Sequence, residues 1–311
     1  MALEVRSLRP GSVRRQQRRD MNRSRAAEKT LRNLTGHREE RDLNESLTEH
    51  PMQLENEIAI VTGAAQGIGR EISLSLAREG ALVVIADITQ QGLMQTAEMI
   101  SKNYGSKPKI IPTDITQEDQ VANLIQHTLV IDNRIDILVN NAGVSGPIKN
   151  IEDISFEEWE ATMAVNLCGM FLCCKHVVPV MKKQKKGNII NLSSMTGKRP
   201  MVQRTPYATT KMGVIGLTRT LAQEVGKWKI RVNALCPGAV ESPRLTKVLE
   251  AIRQQSGKSW DQVVGEMTEE SALKCLVDPK YVCAMVVFLC SPNGTMITGE
   301  DINISAGLVM Y

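Results

Sequence analysis

Tyr207 and Lys211 stand four residues apart in the stretch TPYATTK, a spacing that brings both side chains onto one face of a helix. A tyrosine phenol titrates near pH 10 in water and is a poor base at neutrality. A lysine ammonium beside it, together with the positive end of a helix, favours the phenolate. Thr205 reads as the N-cap and Pro206 as the first-turn proline that would open such a helix. A pair tuned in this way can take up or deliver a hydroxyl proton close to working pH, where general acid/base catalysis is most effective. Taken alone, the same spacing fits an ordinary solvated helix face, so the rest of the chain has to decide.

A second stretch offers complementary chemistry. TGAAQGIG (Thr62 to Gly69) carries Gly63, Gly67 and Gly69 at a GxxxGxG spacing, with Gln66 and Ile68 among them. Glycines here let the backbone turn tightly and let a pyrophosphate approach the amides at a helix start. Asp87 closes the run VVIAD, 18 residues past Gly69. A carboxylate there accepts hydrogen bonds from the adenosine ribose and repels a 2′-phosphate. Gln66, and no basic residue, precedes Gly67. The expected cofactor is NAD in preference to NADP.

These residues need elements to hold them. EIAIVTG, ALVVIAD, KIIPTD, RIDILVNN, GNIINLSS and KIRVNALCPG are short β-branched runs ending in polar or turn residues. Stretches of helical period separate them, including REISLSLAREG, EDQVANLIQHTLVI and the run from Phe156 to Lys183. This alternation implies one α/β domain, a single doubly wound parallel sheet with helices on both faces, over residues 52–311.

The first 51 residues hold 12 Lys or Arg against 8 Asp or Glu, the whole of the chain's +4 charge, and the other 260 carry 26 of each sign. The body therefore gives no electrostatic case for nucleic-acid binding. The Arg- and Ser-rich start suits a transit peptide, a basic arm touching nucleic acid or anionic lipid, or an extension that is disordered or lies upstream of a start at Met52; the last is preferred, with a cytoplasmic location and an organellar one as the alternative. No apolar run is expected to approach the roughly 18–20 residues of a membrane span. The seven cysteines show no CxxC pair and read as buried reduced thiols. His37, His50, His127 and His176 fall away from the motifs, no metal is expected, and Trp159, Trp228 and Trp260 read as packing residues.

The ordered set of motifs resembles the short-chain dehydrogenase/reductase family over essentially all of 52–311. TGAAQGIG, Asp87, Asp114–Thr116, Asn140–Gly143, Asn166 in VNLCG, NLSS before Tyr207, the YxxxK of Tyr207 and Lys211, and Pro237–Gly238 carry the resemblance. It implies a Rossmann fold and an active site of Asn166, Ser194, Tyr207 and Lys211. Ser194 is selected over Ser193 because it lies thirteen residues before the tyrosine. Ser194 would hold the substrate oxygen against Tyr207, Lys211 would also hold the nicotinamide ribose, and Asn166 would seat a water that relays protons. The resemblance further implies that Asp114 and Ile115 border the adenine, that Asn141, Ala142 and Gly143 line the riboses, and that Pro237, Gly238, Val240 and Ser242 lie by the nicotinamide. Relatives commonly have Thr where Ser242 stands, and a pattern like VDGG where NISAG (303–307) stands. They are usually tetramers, so a homo-oligomer is expected, a tetramer or a dimer.

The reaction so implied interconverts a secondary alcohol and a ketone on a small polar substrate: a polyol, hydroxy acid, sugar acid or cyclic diol. The alternatives are a 3-oxoacyl-type reductase and a non-catalytic nucleotide-binding regulator. Specificity should lie in 144–150, 195–204 and a lid-like insert at 241–267. Lys198, Arg199, Arg204 and Arg244 concentrate there, and Arg204 and Arg244 are candidates for holding an anionic substrate. For any single one of them a solvated basic rim or a subunit salt bridge is the preferred role.

Overall fold

Seven parallel strands form one sheet in the order β3-β2-β1-β4-β5-β6-β7. They are β1 (Ile58–Thr62), β2 (Leu82–Asp87), β3 (Lys109–Pro112), β4 (Ile137–Asn140), β5 (Gly187–Leu192), β6 (Ile230–Pro237) and β7 (Asp301–Ile304). The structure is a computed structural model that describes residues 52–311; the expectations for 1–51, with His37 and His50, lie outside the described residues.

Alternate residues of the central strands go to opposite faces, as a two-residue period requires. Ala59 and Val61 of β1, Ile137 and Val139 of β4, and Ile190 and Leu192 of β5 join one core; Ile60, Leu138 and Ile189 join the other. The register sets these in rows, with Ile60 beside Leu138 and Leu138 beside Ile189. Each large aliphatic side chain so buried contributes about 1.5–3 kcal/mol.

The helices, in chain order, are α1 (Gly67–Arg78), α2 (Gln90–Tyr104), α3 (Glu118–Leu129), α4 (Phe156–Met163), α5 (Met170–Gln184), α6 (Thr205–Val225), α7 (Pro243–Ser256), α8 (Trp260–Thr268) and α9 (Pro279–Cys290). Ile72 of α1, Leu93 of α2 and Val286 of α9 belong to the first core; Leu124 of α3, Val177 of α5 and Val214 of α6 belong to the second. Strand order reverses between β1 and β4. Their C-terminal ends therefore part into a crevice, the place where ligands bind in such sheets.

Several local expectations need adjustment. DINI pairs with β6 as a seventh strand that the sequence did not announce; all four of its residues are half-buried, which weakens the alternation. The helical run from Phe156 is interrupted by a π-turn at Ala164–Gly169. That run, Phe156–Gln184, spans 29 residues at mean hydropathy 1.5 and so is long and apolar enough to cross a membrane, contrary to the expectation. Its inward stripe of Met170, Cys173, Val177 and Met181 is core packing against the sheet. The insert folds as two helices, parted at Gly257 in the left-handed region (φ +68) and at Ser259, whose hydroxyl caps α8. Helix α6 starts one residue earlier than expected: Arg204 is its N-cap, with Thr205 and Pro206 in the first turn.

Candidate active site

The glycine turn joins β1 to α1 at the crevice. Gly63 and Gly67 have φ of +66 and +56, where a side chain is strained. A Cβ on Gly63 would fall 2.7 Å from Ala142 Cα, and one on Gly69 would collide with Gly63 O and Asn141 Nδ2. A Cβ on Gly67 would meet nothing within 4 Å, so that glycine borders open space. Gln66, the exposed N-cap of α1, gives no side-chain cap to the first-turn amides. Uncapped amides and the positive helix end facing an open glycine fit a dinucleotide pyrophosphate. Ile68 is half-buried against the first core.

Residues beyond the glycines fix this turn. Asn141 Nδ2 donates to Thr62 O (3.0 Å) and Gly63 O (3.1 Å), while Thr62 Oγ1 accepts from the amides of Asn141 (3.1 Å) and Ala142 (3.2 Å). Asp87 accepts from Ala65 N at 3.2 Å and Thr89 N at 2.9 Å, which ties the end of β2 to the turn. Arg70 braces the other side through Ala65 O, Gly92 O and Thr96 Oγ1. Thr62 and Arg70 were not singled out in the sequence; their roles depend on atoms remote along the chain. Asp114 folds back on Thr116, accepting from its amide and hydroxyl. Ile115 is buried against Gly169, so only its backbone is placed to border a ligand.

The four catalytic candidates converge on the C-terminal side of β4 and β5. Lys211 is buried, and its Nζ donates to Leu192 O at 2.7 Å while standing 5.6 Å from the centre of the Tyr207 ring. Burial pushes the Lys211 pKa down, and the neighbouring Tyr207 and Cys236 partly oppose this. Ser193 and Ser194 divide their roles. Ser193 Oγ donates to Lys211 O at 2.7 Å and so anchors α6 to β5. Ser194 Oγ accepts from Thr196 N at 3.1 Å, which leaves its proton to donate. Gly197 packs onto the Lys211 backbone, where a Cβ would lie 2.7 Å from the carbonyl carbon.

Asn166 sits in the π-turn with its amide fully engaged. Its Oδ1 accepts from Val144 N at 2.7 Å, and its Nδ2 donates to Val144 O and to Thr210 Oγ1. Thr210 in turn donates to Tyr207 O at 2.8 Å, a bridge from π-turn to tyrosine that the sequence did not single out. A Cβ on Gly143 would lie 3.2 Å from Asn166 Oδ1 and 3.8 Å from Lys211 Nζ, which places this backbone beside both side chains. π-turns are frequent at functional sites, and Asn166 braces this one through Val144 and Thr210.

On the far side, Gly238 N bonds Ile304 O, and its Cα region packs on Ser305. Pro237 and Val240 are buried, Val240 in the first core, and Ser242 Oγ caps α7 by accepting from Leu245 N at 3.2 Å. The basic residues separate. The Lys198 side chain is buried in an ion pair with Asp301 at 2.6 Å, and Arg199 pairs with Glu270. Arg204 lies with its guanidinium carbon 4.7 Å from the centre of the Tyr207 ring. The Arg244 side chain lies outside the described residues. Among the described residues no cluster of His, Cys, Asp and Glu could hold a metal. Cys168 and Cys275 are exposed, unlike the other five cysteines.

Residues 57–253 match the profile of the family described as "short chain dehydrogenase". The chain is similar to the 3-oxoacyl-[acyl-carrier-protein] reductase FabG of Thermotoga maritima, 35% identical over 83% of this chain and 100% of the relative. It is also similar to the uncharacterized oxidoreductase YxbG of Bacillus subtilis, 34% identical over 83% of this chain and 93% of that one. Among solved structures it resembles L-sorbose reductase from Gluconobacter frateurii complexed with NADPH and L-sorbose (TM-score 0.80, 25% identity, 84% of this chain and 100% of that one). It likewise resembles a single-substitution variant of actinorhodin polyketide ketoreductase with NADPH (TM-score 0.77, 31% identity, 82% and 98%).

Proposed function

The chain belongs to the short-chain dehydrogenase family, and from that premise we propose that it is an NAD(H)-dependent oxidoreductase interconverting a secondary alcohol and a ketone on a small polar substrate. The observation that carries this reading is the buried Lys211 ammonium held beside the Tyr207 ring. A cation fixed in a dry site stabilises a phenolate without reorganising as the reaction proceeds. In the oxidative direction Tyr207 takes the hydroxyl proton as the carbinol C–H departs as hydride. Ser194 donates its free proton to the substrate oxygen and orients it toward Tyr207. A bound nicotinamide supplies the acceptor or donor of the hydride. Asn166, with its side chain spent on Val144 and Thr210, contributes the widened backbone of the π-turn, where a water can be seated to pass protons outward from Lys211.

The residues proposed to hold the cofactor run around the crevice: the turn from Gly63 to Gly69, Asp87, Asp114, Asn141 to Gly143, and Pro237 to Ser242. What supports NAD is the carboxylate of Asp87, held by two amides at the end of β2, the strand end from which an acid in such folds meets the adenosine ribose and repels a 2′-phosphate. The NADPH in the two reductase structures favours the opposite choice. Comparing KM for NAD and NADP in the wild type and in Asp87→Ser decides: a wild type that favours NADP would sink the preference. The 35% identity to a 3-oxoacyl-[acyl-carrier-protein] reductase keeps that substrate class as the second reading; turnover on an acyl thioester, and none on free small ketones, would favour it. A panel of polyols, hydroxy acids and cyclic diols with NAD tests the main reading.

A homo-oligomer is part of the proposal. Phe156, Phe171 and Met212 are exposed on α4, α5 and α6, an apolar surface suited to a second copy. A monomer in sedimentation at working concentration would contradict it. A reducing, cytoplasmic setting suits seven free cysteines, and fractionation of cells tests that placement.

A further inference from the structure

We propose that Lys198 is a positioning residue for the reaction: its buried ion pair with Asp301 holds the turn that carries Ser194, and so aims the Ser194 hydroxyl at the reacting oxygen. The inference rests on the reading of Ser194 and Tyr207 as the groups that meet that oxygen. Ser194 follows the end of β5 and caps a single 3-10 turn, Met195–Gly197, which Lys198 closes. Gly197 N donates to Ser194 O at 3.0 Å, and Lys198 N donates to Met195 O at 2.9 Å. The near end of this segment is tied down twice. Ser193 N donates to Leu235 O of β6 at 2.8 Å, and Ser193 Oγ donates to Lys211 O at 2.7 Å. The Ser194 hydroxyl accepts from Thr196 N at 3.1 Å, within the turn itself, so its direction follows the turn.

The far end is held by Lys198. Its ammonium has three protons and three partners: the Asp301 carboxylate at 2.6 Å, Asp301 O at 2.7 Å and Tyr311 O at 2.9 Å. Both side chains of the pair are only 7% exposed. The other carboxylate oxygen of Asp301 takes Arg219 of α6 at 2.6 Å, and the Tyr311 hydroxyl donates to Lys198 O at 2.9 Å. Asp301 thus joins the turn and β7 to α6, the helix that carries Tyr207 and Lys211. A buried ion pair is a weak source of stability, because desolvating two charges offsets most of their attraction. What this pair supplies is a fixed position. It keeps Gly197 against the Lys211 backbone, where a Cβ would lie 2.7 Å from the carbonyl carbon, and Ser194 lies three residues before that contact. A misplacement of about 1 Å at a reacting group can cost about 10²-fold in rate.

Hydrogen exchange and a kinetic cycle test this on the full-length protein. Two variants serve: Lys198→Met, and Lys198→Met combined with Asp301→Leu, which replaces the pair by apolar groups and keeps the fold. Amides across 195–199 should exchange about tenfold faster in both than in the wild type, with those of β1 unchanged. Wild-type exchange across 195–199 in the paired variant overturns the proposal, and this measurement needs no substrate. With NAD and cyclohexanediol, or another panel alcohol that the wild type oxidises, either variant should lower kcat about tenfold at unchanged KM for NAD. In a Ser194→Ala background the same changes should lower kcat no further, because the residue they act through is gone. An equal loss in both backgrounds means a merely structural role and overturns the proposal, as does wild-type kcat in the paired variant. Failure of the underlying reading shows separately, as unimpaired turnover in Ser194→Ala or Tyr207→Phe.

Discussion

Lys211 holds its ammonium 5.6 Å from the centre of the Tyr207 ring while donating to Leu192 O at 2.7 Å, out of reach of bulk water. The lysine is fixed by β5, the tyrosine by the first turn of α6, and Ser193 joins the two elements through Lys211 O. The relationship is set by the fold before any substrate arrives.

That burial has a pH signature. Burial lowers the pKa of Lys211 from its ordinary value, despite the opposing effect of Tyr207. Between the lowered folded value and the unfolded value near 10.4 the unfolded chain holds more protons, so stability rises with pH in that window. Lys211→Met removes the titration. The Tm of the wild type relative to this variant should therefore improve from pH 7 toward about pH 10; a difference that falls over that range would refute the linkage.

The two adjacent serines should separate by assay. Ser193→Ala loses the anchor to Lys211 O and should cost about 1 kcal/mol of stability. Ser194→Ala should lower kcat by roughly tenfold or more with little change in Tm, since its hydroxyl accepts only from Thr196 N in the fold. A mainly catalytic defect in Ser193→Ala, with Ser194→Ala behaving as wild type, would reverse the assignment.

Two glycines make a matched contrast for the cofactor turn. Gly69→Ala drives a methyl into Gly63 O and Asn141 Nδ2 and should abolish NADH binding measured by fluorescence. Gly105→Ala places its methyl in open space at φ +71 and should cost only about 1 kcal/mol, leaving NADH affinity intact. Equal NADH affinity in both variants would mean that the turn does not hold the dinucleotide.

Ala306 sits at φ +52, within NISAG. An L-residue in that region costs about 1–2 kcal/mol that glycine avoids. Ala306→Gly should therefore raise Tm and leave kcat unchanged; a lower Tm would show that the methyl contributes more by packing than it costs in backbone strain.

Much of this was legible in the chain. Central strands covered on both faces read as unbroken aliphatic runs; Gly63, Asp87, Ser194 and Tyr207 stand at strand ends or a helix start, where turn chemistry marks them, and Lys211 follows Tyr207 by one helical turn. The short edge strand Asp301–Ile304 was not, because four half-buried residues carry little pattern. Nor was the bridge from Asn166 through Thr210 to Tyr207, which joins residues 44 apart across a π-turn that periodicity does not reveal. The ion pairs of Lys198 and Arg199 depend on distant acids, Asp301 and Glu270, which no local pattern announces.

The central claim is that Tyr207 moves the proton, and single-turnover oxidation by Tyr207→Phe tests it most directly. With saturating NAD and any alcohol the wild type turns over, NADH formation by the variant should slow by about 10²–10⁴-fold while its affinity for NADH stays at the wild-type value. NADH formation at the wild-type rate in Tyr207→Phe would contradict the account.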